Sequence, residues 1–504
     1  MPAKRSLTLA LALLLVAAIP ARGVTPPTMQ QIDLRPMADS SSPGELVSFA
    51  GKIFFSANDG THGYELWRTD GAPDATHTGT ELVCDLRSGD GLGSNPSNLT
   101  VLGNWLYFTA DAGIARFRLY RTNGAVNNCE LVTDVGDYGW TQLKAVGDQL
   151  WFGVYGATGG FEPAMTTAAG TPAMVHDINP SGNSEPSGFT RLGAYVYFAA
   201  NNGTDGYELW KSNGTGATMV ADINETTGEG SRPDGLIAVG NTLYFHAYTP
   251  STGRELMHVS ASGYDGYFDI NDGVNNSAPD HLTNFNGRLY FTAFTEENGD
   301  ELWRVTSNGT SVERVTDINP GTNSSFPQFL TPIGDWLYFS ADDGSSGTEL
   351  WRTNGTTTEL VKDIFLGAGA SYPFGFTEQD GMIFFQAYTG VTWTIFQTTG
   401  TAATTVEAVT GTGTNPYIGC ECYAPVVLLG DRAFTYMGNA EYGSEVAFFD
   451  PLLPSTNRDG SELPLMLIMG AALTAATSVS LRLRRVRHAR AGRTRVGGLS
   501  PLRD

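Results

Sequence analysis

The chain has 504 residues, of which 41% are apolar and 16% charged, with 61 glycines and a formal net charge of −22. Eleven of its 30 Lys and Arg residues lie at the two ends of the chain, three in residues 1–23 and eight in residues 482–504. The net charge of the residues between them is therefore more negative than −22. Such a surface repels nucleic acid and anionic lipid, because phosphate binding depends on Lys and Arg. The composition excludes a nucleic-acid-binding protein and favours short strands joined by tight turns.

The N-terminal segment, residues 1–23, has the pattern of a secretory signal peptide. Lys4 and Arg5 precede an uncharged run that ends at Ala21, where small residues surround a cleavable bond. We therefore expect an exported protein, located outside the cell or at its surface. The alternative is an uncleaved N-terminal anchor.

Residues 29–450 repeat two short phrases. The first is Leu-Tyr-Phe or a close variant, at 53–55, 106–108, 150–152, 196–198, 243–245, 289–291, 337–339 and 383–385, with a degraded copy at 433–435. The second is Glu-Leu-Trp followed by Arg or Lys, at 65–68, 208–211, 301–304 and 349–352. The intact copies of the first phrase recur every 44 to 53 residues, which indicates one supersecondary unit used about nine times.

Each unit contains four segments rich in β-branched and aromatic residues and bounded by Gly, Asn or Asp, which indicates four strands. Four strands in about 46 residues is the size of a propeller blade. A copy of the last strand, 31–34, precedes the first unit, while the ninth unit ends at its third strand, 445–449. The sequence predicts an all-β propeller of about nine four-stranded blades, closed by the N-terminal strand. Two smaller rings or an open array are the alternatives.

The phrases also predict which side chains face neighbouring blades. The segment Leu337-Tyr338-Phe339 is apolar throughout, so its strand is expected to be covered on both faces. Leu350 and Trp351 are consecutive in the next strand and should point to opposite blades. The last strands are expected to include a recurrent Asp-Ile or Asp-Leu pair, at 85–86, 177–178, 222–223, 269–270 and 317–318.

These units resemble the ELWxxDGT repeat of secreted bacterial proteins. Residues 65–71 fit its first seven places, and residues 349–356 fit with Asn in place of Asp. The copies at 117–120, 162–165 and 394–396 depart from the pattern. The resemblance covers roughly residues 29–450 and implies a secreted repeat propeller, but no activity, since a fold does not imply a function.

The acidic glycine turns are the candidate metal sites. Their oxygen atoms suit Ca²⁺, so calcium is the one cofactor considered, although none of these turns has the complete spacing of an EF-hand loop. The interpretation we favour over calcium is a hairpin turn in which Asn, Asp and Gly supply positive φ. The turns are at 58–60, 201–203, 297–299 and 342–344.

No catalytic residue is assigned. The seven histidines are scattered, without HExxH or paired metal-ligand spacing, and GxSxG is absent. The repeated glutamates are expected to be structural partners of backbone amides rather than general acids; they are Glu65, Glu208, Glu255, Glu301 and Glu349. The aspartates of the Asp-Ile pairs are expected to bind the following turn or, alternatively, to form a ligand ring.

Four cysteines, Cys84, Cys129, Cys420 and Cys422, allow three disulfide connectivities. Cys84 and Cys129 fall in the outer-strand segments of two adjacent blades. A local bond between Cys420 and Cys422 would be strained, which leaves a redox or metal role open. The sequence does not choose between the connectivities.

The C-terminal segment is expected to anchor the protein in a membrane. A linker at 451–462 precedes an uncharged stretch at 463–481, which is long enough for one transmembrane helix, and the Arg-rich tail at 482–504 marks the cytoplasmic side. This order resembles the C-terminal sorting signals of bacterial surface proteins. A soluble amphipathic tail helix is the alternative.

Together these features predict a secreted or cell-surface propeller that binds a protein or a glycan, as in adhesion, without catalysing a reaction. The first alternative is an extracellular carbohydrate-active enzyme, a hydrolase or lyase, on the same scaffold. The second is a purely structural surface protein. The sequence does not identify the ligand.

Overall fold

The computed structural model describes residues 29–35, 40–72, 79–89, 91–113, 117–136, 142–155, 160–167, 170–409, 426–439 and 443–451. The expected signal peptide at 1–23, nearly all of the linker at 451–462, the segments at 463–481 and 482–504, and Cys420 and Cys422 lie outside these residues. The described part contains 36 β-strands and no helix, and therefore no helix that could span a membrane.

The strands follow one another without interruption by other regular structure. In chain order they are β1 (Gln30–Ile32), β2 (Gly44–Phe49), β3 (Lys52–Asn58), β4 (Tyr64–Thr69), β5 (Thr80–Cys84), β6 (Ser97–Leu102), β7 (Trp105–Asp111), β8 (Phe117–Thr122), β9 (Glu130–Gly136), β10 (Lys144–Val146), β11 (Gln149–Tyr155), β12 (Phe161–Thr167), β13 (Ala173–Met174), β14 (Ser187–Leu192), β15 (Tyr195–Asn201), β16 (Tyr207–Ser212), β17 (Ala217–Ala221), β18 (Asp234–Val239), β19 (Thr242–Thr249), β20 (Gly253–Ser260), β21 (Gly263–Phe268), β22 (Asp280–Phe285), β23 (Arg288–Thr295), β24 (Gly299–Val305), β25 (Val312–Arg314), β26 (Gln328–Ile333), β27 (Trp336–Asp342), β28 (Thr348–Thr353), β29 (Thr358–Lys362), β30 (Phe374–Gln379), β31 (Met382–Tyr388), β32 (Trp393–Thr398), β33 (Val406–Glu407), β34 (Val427–Leu429), β35 (Arg432–Asn439) and β36 (Gly443–Phe449).

The described strands form nine antiparallel sheets of four strands, and each sheet is one blade. The first eight blades are consecutive quartets, from β2–β5 to β30–β33. The ninth blade has the order β1-β36-β35-β34, and Ile32 of β1 pairs with Val446 of β36. The inner strand of the ninth blade, β34, contacts that of the first, β2. The predicted nine-bladed ring with N-terminal closure is confirmed.

The core lies between adjacent blades, as the two phrases predict. Leu350 is fully buried and packs with Ile383 and Phe385 of the eighth blade. Trp351, the next residue, packs instead with Leu302 of the sixth blade. Consecutive residues of a strand thus join one blade to both of its neighbours.

The inner strand of most blades carries a bulge near its start. In β26 the register shifts between Gln328 and Thr331, and Phe329 between them has a φ of 57°. Such a bulge turns backbone and side chains locally out of the regular ladder. The equivalent left-handed residues are Glu45, Asn98, Gly188, Gly235, His281 and Gly375.

All five outer strands end before their Asp-Ile or Asp-Leu pair, so the prediction that these pairs belong to the strands is wrong. In the third and sixth blades, Ile178 and Ile318 follow β13 and β25. Their backbone N–H groups donate to the carboxylates of Glu162 and Glu301 rather than to a neighbouring strand.

A disulfide joins the first two blades. Cys84 at the end of β5 is bonded to Cys129, which precedes β9, with a distance of 6.3 Å between their Cα atoms. This bond excludes the two connectivities that pair Cys84 or Cys129 with Cys420 or Cys422.

Candidate functional site

The repeated glutamates bind the crossover that leads from each blade to the next. Oε1 of Glu349 accepts the N–H of Ser371 at 3.0 Å, while Oε2 accepts the Ser371 hydroxyl at 2.6 Å and the N–H of Ile364 at 2.8 Å. We call this arrangement the Glu-Ser latch. It recurs at Glu65, Glu208, Glu255 and Glu301, as expected of structural partners of backbone amides.

Two further latches escaped sequence analysis. Glu162 binds the N–H of Ser184, and Glu445 binds both the N–H and the hydroxyl of Ser41. Neither glutamate is followed by Leu-Trp, so matching the full phrase concealed them. Arg118 and Thr394 occupy the equivalent strand positions in the second and eighth blades.

The latched serine begins a second repeated sequence, Ser-X-Pro, which the sequence analysis missed. Residue X is exposed in all seven copies and has a φ between 43° and 52°, a conformation that is uncommon for residues other than glycine. In six of the seven copies the serine lies 22 to 29 residues after its glutamate, a spacing that could have revealed the pair, whereas Ser41 precedes Glu445 by 404 residues. We call the seven X residues the crossover ring: Ser42, Asn95, Glu185, Arg232, Ala278, Phe326 and Tyr372.

The crossover ring surrounds the mouth of the central channel, because each X residue lies two residues before the start of an inner strand. The channel contains a cavity of about 820 Å³, lined by the inner strands of the third to eighth blades. Threonine hydroxyls join neighbouring inner strands; Thr190 donates to the carbonyl of Leu236 at 3.1 Å and Thr377 to that of Val426 at 2.9 Å. The cavity volume is typical of small-ligand sites.

A cluster of ionisable side chains that the repeat does not explain lies at this mouth, in the fifth and sixth blades. Nη1 of Arg254 is 2.6 Å from Nδ1 of His246. Burial and the nearby Arg254 charge lower the pKa of His246, although Asp234 and Asp280 oppose this. Burial, aided by the Asp280 charge, raises the pKa of Asp300 to about 6. The sequence analysis left these histidines and aspartates unassigned.

The acidic glycine turns bind their own backbone. Oδ1 of Asp59 accepts the N–H groups of Thr61 and His62, and Oδ1 of Asp343 accepts those of Ser345 and Ser346, at 2.7 to 2.9 Å. Such bonds are typical of Asx turns. Among the described residues, no group of three or more His, Cys, Asp or Glu side chains could hold a metal ion. Calcium stays an untested prediction.

In two blades the aspartate of the Asp-Ile pair binds the turn that follows it, as the sequence analysis expects. Oδ2 of Asp269 accepts the N–H of Gly273 at 3.3 Å, and Oδ2 of Asp363 accepts that of Gly367 at 3.1 Å. Each carboxylate thus binds the turn that follows it.

Comparison with known proteins identifies neither a family nor an activity. The chain matches no protein-family model and no curated protein sequence. A prolyl endopeptidase structure is similar over 71% of this chain and 56% of its own, with 12% identity and a TM-score of 0.42. The tricorn protease is similar over 78% of this chain and 41% of its own, with 11% identity and a TM-score of 0.31. The chain thus spans about half the length of these structures or less, and the likeness does not identify an activity.

Ionisation of the buried latch glutamate Glu255 should lower the free energy of unfolding. Burial raises the pKa of Glu255 from 4.5 to about 7, so its contribution to folding is complete below pH 4.5 and is lost as the pH rises through 7. We expect Glu255→Gln to remove up to about 3 kcal/mol of this pH dependence. Urea unfolding at pH 5 and pH 8 measures the difference between variant and wild type. Glu297→Gln, which removes an exposed carboxylate, is the control, and a difference equal at both pH values would contradict the prediction.

Removal of calcium should have little effect. Because Oδ1 of Asp59 and of Asp343 already accepts two backbone N–H groups, we expect the same melting temperature in millimolar Ca²⁺ and in excess chelator. Differential scanning calorimetry of the full chain measures this. A clear rise with Ca²⁺ that Mg²⁺ does not reproduce would instead identify these turns as calcium sites.

Proposed function

We propose that this protein is an exported, non-enzymatic binding or adhesion propeller whose ligand site is the crossover ring with the channel mouth that it surrounds. The observation that carries this proposal is that seven copies of one anchor hold seven different exposed side chains. The latch and the proline repeat because the fold needs them, whereas the exposed residue is free to vary. Variable residues on a rigid scaffold are a common basis of recognition.

The proposal includes export and a membrane tether, with the tail inside. Its support is the signal-peptide pattern at 1–23, the uncharged segment at 463–481 and the Cys84–Cys129 disulfide, because disulfides persist mainly in oxidising compartments. The proposed partner is a protein or a glycan at the cell surface. The net charge of −22 disfavours nucleic acid.

Titration of labelled full-length protein against intact cells of the source organism tests the binding function. We expect saturable binding that Tyr372→Ala weakens about tenfold, because Tyr372 is an exposed member of the crossover ring. Tyr195→Ala is the matched control, since Tyr195 is exposed beside the turn between β14 and β15, at the opposite ends of the strands. Binding that never saturates would favour a purely structural protein.

One observation favours the enzyme alternative. Oδ1 of Asp300 is buried and has no hydrogen-bond partner among the described residues, and burial raises its pKa to about 6 beside Asp280. A protonated carboxyl group near an ionised one is the pairing that acid catalysis of glycoside cleavage uses.

Release of reducing sugar from a polysaccharide panel tests this alternative. If it is correct, Asp300→Asn lowers turnover at least a hundredfold, wild-type activity falls above pH 6, and Asp335→Asn in an exposed turn has no effect. Absence of turnover by the wild type, or equal turnover by Asp300→Asn, would leave the binding function alone.

A further inference from the structure

One sector of the crossover ring is aromatic. Phe326 and Tyr372 of the ring are 57% and 54% exposed, and Tyr248 and Phe294 at the ends of β19 and β23 are 40% and 39% exposed. The backbone N–H groups of Tyr248 and Phe294 donate to crossover carbonyls at 2.8 Å, which places both residues beside the ring. The matching strand ends carry Asn58, Asp111 and Asn201 in the first, second and fourth blades, Asp342 in the seventh and Tyr388 in the eighth.

A hydrogen-bond donor lies directly behind Gly235, a residue that lines the channel cavity in this sector. Arg254 contacts Nδ1 of His246, and a guanidinium group can only donate, so Nδ1 accepts and the neutral ring carries its proton on Nε2. Gly235, which has a φ of 66°, lies next to Nε2 of His246, because a Cβ built on this glycine would be 3.2 Å from that atom. Because glycine has no side chain, no Cβ lies between the Nε2–H and the channel cavity that Gly235 lines. The first and seventh blades have Ser56 and Ser340 at the position of His246.

Two carboxylates complete the set of polar groups. Asp234 and Asp280 are exposed at the starts of β18 and β22 and line the channel cavity. Oδ1 of each accepts the N–H of the following residue, Gly235 at 2.8 Å and His281 at 2.6 Å, which fixes both acceptors at the mouth. Arg232 of the crossover ring adds an exposed donor. The sector therefore combines aromatic faces with fixed donors and acceptors.

We propose that this sector, formed by the fifth to eighth blades, is a subsite for an uncharged glycan built of pyranose rings. This inference rests on the binding function proposed above and specifies its ligand. The C–H faces of the sugar rings stack on Phe326 and Tyr372, and the hydroxyls donate to Asp234 and Asp280 and accept from Nε2–H of His246.

The charges of the sector and of the chain favour an uncharged ligand. Asp234 and Asp280 are accompanied by Arg232 and Arg254, while the whole chain, at −22, repels polyanions. An apolar peptide would leave the two carboxylates and the imidazole N–H without partners on binding, which is costly for desolvated polar groups. A glycan pairs with them while covering the aromatic rings.

Calorimetric titration of the full-length protein with cello-, xylo-, manno- and maltohexaose and with hexa-N-acetylchitohexaose tests the inference. We expect saturable binding of at least one hexaose, and the double variant Phe326→Ala/Tyr372→Ala should weaken it at least tenfold. Alanine is accommodated at this loop position, since Ala278 occupies it in another crossover. Tyr195→Ala, which removes an exposed aromatic ring at the opposite ends of the strands, is the matched control and should bind as the wild type does.

A second variant tests the polar part of the subsite. His246→Ser installs the residue that two other blades carry at this position, so the fold should be retained. We expect severalfold weaker hexaose binding with an unchanged melting temperature. Equal affinity would overturn the assigned role of His246.

The outcomes distinguish the two proposals. If no hexaose binds the wild type, or if the double variant binds equally well, the glycan inference fails. If cell binding nevertheless saturates and Tyr372→Ala weakens it, the binding function stands and its ligand is a protein. If cell binding never saturates and no hexaose binds, both proposals fail.

Discussion

The hydrogen bonds of the Glu-Ser latch hold each blade to the crossover that begins the next one. A buried carboxylate is costly unless hydrogen bonds replace its lost hydration. Here each glutamate accepts two or more hydrogen bonds, as Glu349 does from Ser371 and Ile364, and in six of the seven latches the serine hydroxyl is one of the donors. The apolar surfaces between blades supply the larger stabilisation, but they are not directional. The latch fixes where the chain leaves one blade and enters the next.

A second polar joint lies at the opposite ends of the strands. Nη1 of Arg304, the last residue of its Glu-Leu-Trp-Arg phrase, donates to the carbonyl of Gly355 in the next blade at 2.6 Å, while Nε binds Glu313 of its own blade. Gly355 has a φ of 84°, and a Cβ there would overlap the Tyr290 hydroxyl. The glycine of the turn at 354–356 is thus required both for the hairpin and for close contact with Arg304 and Tyr290 of the preceding blade.

The same latches that repeat the fold also present its variable surface. Each holds residue X in a left-handed conformation that costs free energy for any residue other than glycine. Because Ser and Pro flank X in every copy, the side chain of X can change without altering the scaffold. Phe326 and Tyr372 are therefore exposed on backbone that is as firmly anchored as that of Asn95 in another sector. The proposed recognition and the closure of the ring consequently depend on the same short segment.

The sequence by itself determined the blade, the blade count and the closure, because these follow from local patterns: apolar alternation within a strand, glycine in turns and a recurring unit. Leu350 and Trp351 were assigned to opposite faces on that basis, and the repeated glutamates to backbone amides. Only the tertiary structure decided the latch partners, the Cys84–Cys129 bond and the group formed by Gly235, His246 and Arg254. These depend on distances between residues that are remote in sequence or separated by a strand turn, and no local periodicity encodes such distances.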